Sequence, residues 1–156
     1  MRVIAIDPGT HCGYAWTDDG KVHVEQSGVC DLKPRRHEGG GMRYLRFANY
    51  LDEMLKCHAD GGCAVFYEEV RRHAGTDAAH VYGGIIAVIG ASCEDLALPY
   101  MGIPVGTIKK RATGKGNANK QAMIEAAEYK WGPGVTSDDQ ADALWILQCG
   151  IEELDG

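Results

Sequence analysis

The chain has 156 residues and a mass of 16.9 kDa, which predicts one globular domain over residues 1–156 with a core of its own. Its hydrophobic (45%) and charged (24%) fractions exclude a disordered chain, and no apolar run approaches the roughly 20 residues of a membrane span. The formal net charge of −6 by itself disfavours a nucleic-acid partner, although the basic residues gather in a few loops.

The N-terminus enters a strand at once, with no signal peptide, so we expect a cytoplasmic protein. Six cysteines are scattered without a CxxC pair, and several stand in apolar runs where cysteine behaves as a small hydrophobic residue. They are Cys12, Cys30, Cys57, Cys63, Cys93 and Cys149. This usage predicts a reduced chain and indicates neither a zinc site nor a disulfide framework.

The first predicted strand covers residues 2–6 and ends at Asp7, because Pro8 and Gly9 stop it. Its continuous apolar run is typical of a strand that is buried on both faces. Asp7 is therefore expected at the end of a central strand, where a carboxylate is costly to bury unless it meets a cation or a donor. We take Asp7 as the first candidate ligand of an active site.

Two more strands are predicted at residues 14–17 and 21–25, joined by an Asp-Asp-Gly hairpin turn. Residues 31–41 then predict a flexible basic loop that carries Arg35 and Arg36.

Apolar positions at helical spacing predict a helix over residues 42–57. A second apolar strand follows over residues 63–67, and it too ends in carboxylates, Glu68 and Glu69. A crossover helix makes the two strands that it joins parallel, so we expect Glu68 and Glu69 at the same edge of the sheet as Asp7. Adjacent strand residues face opposite ways, and we expect Glu69 to point away from the site.

The rest of the chain predicts four further elements and one loop: a helix over 78–89, a strand over 103–108, a basic loop over 109–116, and helices over 118–129 and 138–149. Ser137 is the expected N-cap of the last helix. The order βββαβαβαα predicts an α/β fold in which a mixed five-stranded sheet, its first three strands a meander, is flanked by helices.

The last helix carries acids at a spacing that shares one face, because Asp139 and Asp142 are three positions apart and Asp138 and Asp142 four apart. Packed on the sheet, this helix would bring its acids near Asp7 and Glu68. Converging carboxylates repel one another unless divalent cations lie between them. Oxygen ligands alone favour Mg²⁺ or Mn²⁺ over zinc, and paired ions of this kind promote in-line phosphoryl displacement.

Four segments in series resemble the motifs of the RuvC family of Holliday junction resolvases, and together they cover nearly the whole chain. They are Asp7-Pro8-Gly9-Thr10, Tyr67-Glu68-Glu69-Val70, Gly114-Lys115-Gly116-Asn117-Ala118-Asn119-Lys120 and Asp139-Gln140-Ala141-Asp142-Ala143-Leu144. The resemblance implies an RNase H-like fold, a homodimer, and symmetrical nicking of four-way DNA junctions by metal-activated water with two Mg²⁺ or Mn²⁺ ions.

Carried over by position, the resemblance implies that Asp7, Glu68, Asp139 and Asp142 bind the metal and that Lys120 completes the catalytic set. Lys120 and Lys109 are expected near the scissile phosphate, where a cation offsets developing charge. The expected DNA-binding residues are Lys109, Lys110, Arg111, Lys115, Arg71, Arg72, Arg35 and Arg36.

Arg71 stands where the resolvases of this family carry an aromatic residue that stacks on bases, and arginine can also stack. This departure and the acidic balance suggest a divergent member, encoded by a bacterium or a phage, with broader specificity for branched DNA. Three other functions stay open. They are an RNase H-type nuclease on RNA–DNA hybrid, a junction-binding protein that does not cleave, and a sugar-kinase or actin-like ATPase, which would need a second domain.

Overall fold

The computed structural model describes residues 1–56 and 62–156. Five strands form one sheet in the order β3-β2-β1-β4-β5: β1 (Arg2–Asp7), β2 (His11–Thr17), β3 (Ser27–Asp31), β4 (Cys63–Glu69) and β5 (Tyr100–Pro104). The helices are α1 (Met42–Leu55), α2 (Thr76–Asp95), α3 (Val105–Thr113), α4 (Lys120–Trp131) and α5 (Asp138–Asp155). β1 pairs antiparallel with β2 and parallel with β4, so the predicted mixed sheet and its meander are confirmed.

The sheet has a hydrophobic core on each face, and β1 contributes to both because its side chains alternate. Val3 and Ala5 belong to the core beneath α3, α4 and α5. Ile4 and Ile6 belong to the core beneath α1 and α2. All four are at most 4% exposed, which confirms a central strand that is buried on both faces.

The third strand differs from its prediction. Residues 21–25 form no strand, since Asp19 accepts hydrogen bonds from the Lys21 N–H (3.0 Å) and the Thr17 hydroxyl (2.8 Å) and closes a local turn. A 3₁₀ turn follows, and β3 begins only at Ser27. The alternating Val22 and Val24 pack against the core beneath α5 instead of forming a ladder.

The prediction of a strand over 103–108 is also wrong in part. The strand ends at Pro104, and α3 begins with the next residue. Val105, Ile108 and Ala112 recur at helical spacing, and Ile108 is buried while Ala112 packs against the same core. Lys109, Lys110 and Arg111 therefore lie on a helix, and the basic loop starts at Gly114 (φ 82°), which ends that helix.

The basic loop after β3 contacts α1. Glu38 forms an ion pair with Arg46 of α1, and these side chains are only 16% and 15% exposed. Glu38 also accepts a hydrogen bond from the Arg35 N–H at 2.8 Å. Arg35 and Arg36 are both exposed on this loop.

Several helices are displaced or longer than predicted: α2 runs over Thr76–Asp95, α4 over Lys120–Trp131 and α5 over Asp138–Asp155. The end of the predicted first helix, with Cys57, falls outside the described residues. The described cysteines, Cys12, Cys30, Cys63, Cys93 and Cys149, are buried. Among the described residues, no helix combines the length and the apolar character needed to cross a membrane.

Candidate active site

Asp7 and Glu68 lie at the same edge of the sheet, at the carboxyl ends of parallel strands. Asp7 follows Val3 and Ala5 in the alternation, and Glu68 follows Ala64 and Phe66, so both carboxylates face the layer of α5. Asp7 is only 7% exposed. The two carboxyl groups interact directly, which raises the pKa of Asp7 and lowers that of Glu68 against the larger effect of burial.

The first turns of α5 bring the remaining acids to this edge. Ser137 caps the helix, as predicted, by accepting a hydrogen bond from the Gln140 N–H at 3.2 Å. The Gln140 side chain is 5% exposed. It donates to the Ser27 hydroxyl at 2.9 Å and accepts from the Thr136 N–H at 2.8 Å, which ties the start of α5 to the sheet. Sequence reasoning did not identify this role of Gln140.

Gly13 lets α5 approach closely, because it lies opposite Asp7 in the β1–β2 ladder. A Cβ atom placed on Gly13 would be 2.1 Å from the Asp139 carbonyl oxygen and 3.2 Å from the Asp7 Cβ. No side chain fits there, so a glycine is required for the acids of α5 to reach Asp7.

The acids share an environment in which negative charge is unfavourable. Burial raises the pKa of Asp7 well above its ordinary value, and the charges of Glu68, Asp142 and Asp139 raise it further. Burial and then the charge of Glu68 raise the pKa of Asp142 to about 7. The pKa values of Glu68 and Asp139 are also raised, mainly by burial. The raised pKa values indicate buried carboxylates that lie close enough for the charges of Glu68, Asp139 and Asp142 to add to the effect of burial on Asp7.

The donor set fits a hard divalent cation such as Mg²⁺ or Mn²⁺, which prefers carboxylate oxygen. Asp142 Oδ1 is buried and has no hydrogen-bond partner among the described residues, as expected of an atom that a cation would satisfy. Within residues 1–56 and 62–156, no three His, Cys, Asp or Glu side chains are already arranged as a metal site. The side chains would have to adjust to bind an ion.

Two lysines border the acids. Burial raises the pKa of Glu68 and of Asp142, and the positive charge of Lys109 on α3 opposes this effect at both acids. Lys120, at the start of α4, pairs with Asp138 at 3.3 Å while its side chain is 84% exposed. Asp138 therefore faces a lysine at the rim of the site.

Exposed arginines lie on both sides of the acidic edge. Arg35 and Arg36 belong to the loop after β3, which starts where the Leu32 N–H donates to the Thr10 oxygen at 2.8 Å. Arg71 and Arg72 follow β4 after one intervening residue, Val70. Two more basic residues of the predicted set, Lys110 and Lys115, are exposed on α3 and in the loop after it.

The structure does not bring Arg111 to the acids. Its guanidinium group pairs with Glu152 at 2.7 Å. Glu152 lies 14 residues beyond Asp138 on α5, or about 21 Å at 1.5 Å per residue. A DNA contact of Arg111 stays a prediction without support from its position.

Comparison with known proteins gives a consistent relationship over the whole chain, although no protein-family model matches it. The RuvC crossover junction endodeoxyribonuclease of Anaeromyxobacter sp. (strain Fw109-5) is 30% identical over 159 residues, covering 100% of this chain and 75% of the relative. The RuvC of Brachyspira hyodysenteriae is 26% identical, and the alignment covers 94% of this chain and 91% of that relative.

Solved structures have the same fold. RuvC of T. thermophilus in complex with a Holliday junction substrate superposes with a TM-score of 0.77 at 22% identity, covering 99% of this chain and 96% of that one. The Holliday junction resolvase of yeast mitochondria gives a TM-score of 0.55 at 16% identity, covering 97% and 80%. These structural likenesses confirm the predicted RNase H-like fold. The 30% identity to the Anaeromyxobacter protein, which extends over the whole chain, shows that the chain belongs to the RuvC family of crossover junction endodeoxyribonucleases.

Proposed function

We propose that residues 1–156 form one nuclease domain that resolves four-way DNA junctions and other branched DNA by metal-dependent phosphodiester hydrolysis. The observation that carries the proposal is the meeting of Asp7, Glu68, Asp139 and Asp142 at one edge of the sheet. These acids come from three distant segments, and each has a raised pKa. Such clusters of perturbed groups are typical of functional sites.

Asp7, Glu68, Asp139 and Asp142 would hold the divalent ions, two Mg²⁺ or Mn²⁺ in our proposal. Bound there, the ions would supply Lewis acidity and an activated water for hydrolysis of the phosphodiester, with a 5′-phosphate and a 3′-hydroxyl as the products. Lys120 is exposed and paired only at the rim, so it can turn from Asp138 to a phosphate oxygen. Lys109 offsets negative charge from the side of α3.

The DNA backbone would pass over the acidic edge between the two arginine pairs. Arg35 and Arg36 would contact it on the β3 side, Arg71 and Arg72 on the β4 side. An open groove of about 590 Å³ lies beside the second pair, with Glu69 and Val105 in its lining. Lys110 and Lys115 would add phosphate contacts, and affinity should fall steeply with salt.

Paired nicks in a twofold-symmetric junction require two sites, so we propose that the chain works as a homodimer with one site per copy. Light scattering should then give twice the chain mass of 16.9 kDa. A protein of this function acts where DNA is recombined, in the bacterial or infected host cytoplasm.

One gel separates the proposed function from its competitors. Wild-type protein and Asp7→Asn are incubated with a four-way junction, linear duplex and RNA–DNA hybrid, each with Mg²⁺, Mn²⁺ or EDTA. We expect the wild type to nick the junction with either ion but not with EDTA. Cleavage of hybrid without cleavage of junction would favour an RNase H-type enzyme, and binding without cleavage in any metal would favour a junction-binding protein.

A further inference from the structure

The pairing of β1 with β4 stops short of the end of β4. The Arg2 N–H donates to the Gly62 oxygen at 3.0 Å, so the even-numbered residues of β1 turn their backbone groups toward β4. The last residues that pair in the β1–β4 ladder are Ile6 of β1 and Tyr67 of β4. The next even-numbered residue is Pro8, which has no N–H. The ladder therefore lacks a backbone donor at the point where the acids begin.

The hydroxyl of Tyr82 takes the place of the backbone partner that β1 does not provide here. Tyr82 lies on α2, which packs on the opposite face of the sheet from α5. Its O–H donates to the Glu68 carbonyl oxygen at 3.0 Å and accepts from the Val70 N–H at 3.0 Å. In a parallel ladder, one residue of the neighbouring strand would satisfy these same two groups.

Tyr82 is itself held in position. Its ring packs against the ring of His73, with centroids 4.7 Å apart. Burial raises the pKa of Tyr82, so its hydroxyl keeps the proton that it donates at neutral pH. His73 comes from the loop that follows β4. The contact thus links α2, the end of β4 and the loop after it.

We propose that Tyr82 is a positioning residue that fixes the backbone of Glu68 on one side and the start of the Arg71–Arg72 loop on the other. This inference rests on the proposed role of Glu68 as a metal ligand. A ligand whose backbone is already fixed has less freedom to lose when an ion binds, and supporting contacts around metal ligands are typically worth about 10–100-fold in affinity.

The test is Tyr82→Phe, which removes only the hydroxyl and keeps the ring against His73. Tyr129→Phe is the matched control, because Tyr129 is 95% exposed on α4. In metal-free protein, amide hydrogen exchange at Val70 should become about fivefold faster or more, as expected from the loss of about 1 kcal/mol of hydrogen bonding, with the Val65 amide unchanged. Unchanged exchange at Val70 would overturn the proposal.

Titration with Mn²⁺ alone is the second measurement. We expect Tyr82→Phe to bind Mn²⁺ about tenfold more weakly, with the maximal cleavage rate regained at saturating Mn²⁺. A variant with faster Val70 exchange but wild-type Mn²⁺ affinity would overturn the positioning of Glu68 and leave a merely structural hydroxyl. If wild-type protein bound no Mn²⁺, the proposed metal site would fail, while Val70 exchange would still decide whether Tyr82 holds the strand end.

Discussion

Asp142→Asn should stabilise the metal-free protein at alkaline pH, although it removes a residue of the proposed site. Asparagine keeps the shape of Asp142 but cannot ionise. The pKa of Asp142 rises from 3.8 to about 7 in the folded protein, and 1.36 kcal/mol per pH unit converts this difference to about 4 kcal/mol. Neighbouring acids share part of this cost, so we expect a gain of about 1–4 kcal/mol in the free energy of unfolding.

The pH dependence has a definite sign because the folded-state pKa is raised. Stability from the protonated Asp142 is fully present below pH 3.8, declines as pH rises, and is lost above about pH 7. Asp142→Asn should therefore match the wild type near pH 4 and exceed it at pH 8. For a chain of this size, each kcal/mol corresponds to roughly 2–4 °C in Tm.

The assay is thermal unfolding at pH 4 and pH 8, with EDTA or with Mn²⁺. At pH 8, Mn²⁺ at 100 times its Kd should add about 2.7 kcal/mol to the free energy of unfolding of the wild type and so raise its Tm. It should raise the Tm of Asp142→Asn much less. Asp52→Asn, an exposed acid on α1, is the control and should behave as wild type. A less stable Asp142→Asn in EDTA at pH 8, with an unreduced Mn²⁺ effect, would refute this reasoning.

Three further changes test other parts of the site. Asp7→Asn should abolish cleavage and leave junction binding intact or tighter, since it removes a ligand and a negative charge near DNA; weakened binding with normal turnover contradicts this role. Lys120→Ala should slow single-turnover cleavage at least about tenfold while changing junction affinity much less, and an unchanged rate would remove it from the site. Gly13→Ala should abolish cleavage because its Cβ would come 2.1 Å from the Asp139 carbonyl oxygen. The control Gly90→Ala should cleave normally, since its Cβ would meet nothing closer than 3.8 Å, and an active Gly13→Ala would refute the close approach of α5.

Local patterns predicted the parts of the fold that local physics determines. The apolar run before Asp7 and the proline after it determine where β1 ends, and the helical spacing of the acids with the Ser137 cap determines the start of α5. The same reasoning failed at residues 21–25, because the turn closed by Asp19 competes with strand pairing. It failed at α3 because Val105 and Ile108 suit a strand and a helix equally well.

Contacts between distant segments were beyond sequence reasoning. The need for glycine at position 13 depends on where α5 packs, and the hydroxyl of Tyr82 meets β4 only after α2 has docked. The ion pair of Glu38 with Arg46 joins a loop to a helix in the same way. The assignment of Asp139 rather than Asp138 to the metal likewise came from the family resemblance and not from spacing, which both acids satisfy.

The most direct test of the central claim is an anomalous scattering map from crystals of the wild-type protein grown in saturating Mn²⁺. We predict manganese peaks within bonding distance of carboxylate oxygens of Asp7 and Glu68, with Asp139 or Asp142 completing the protein ligands. A map in which Mn²⁺ binds elsewhere, or in which neither Asp7 nor Glu68 touches an ion, would contradict the account.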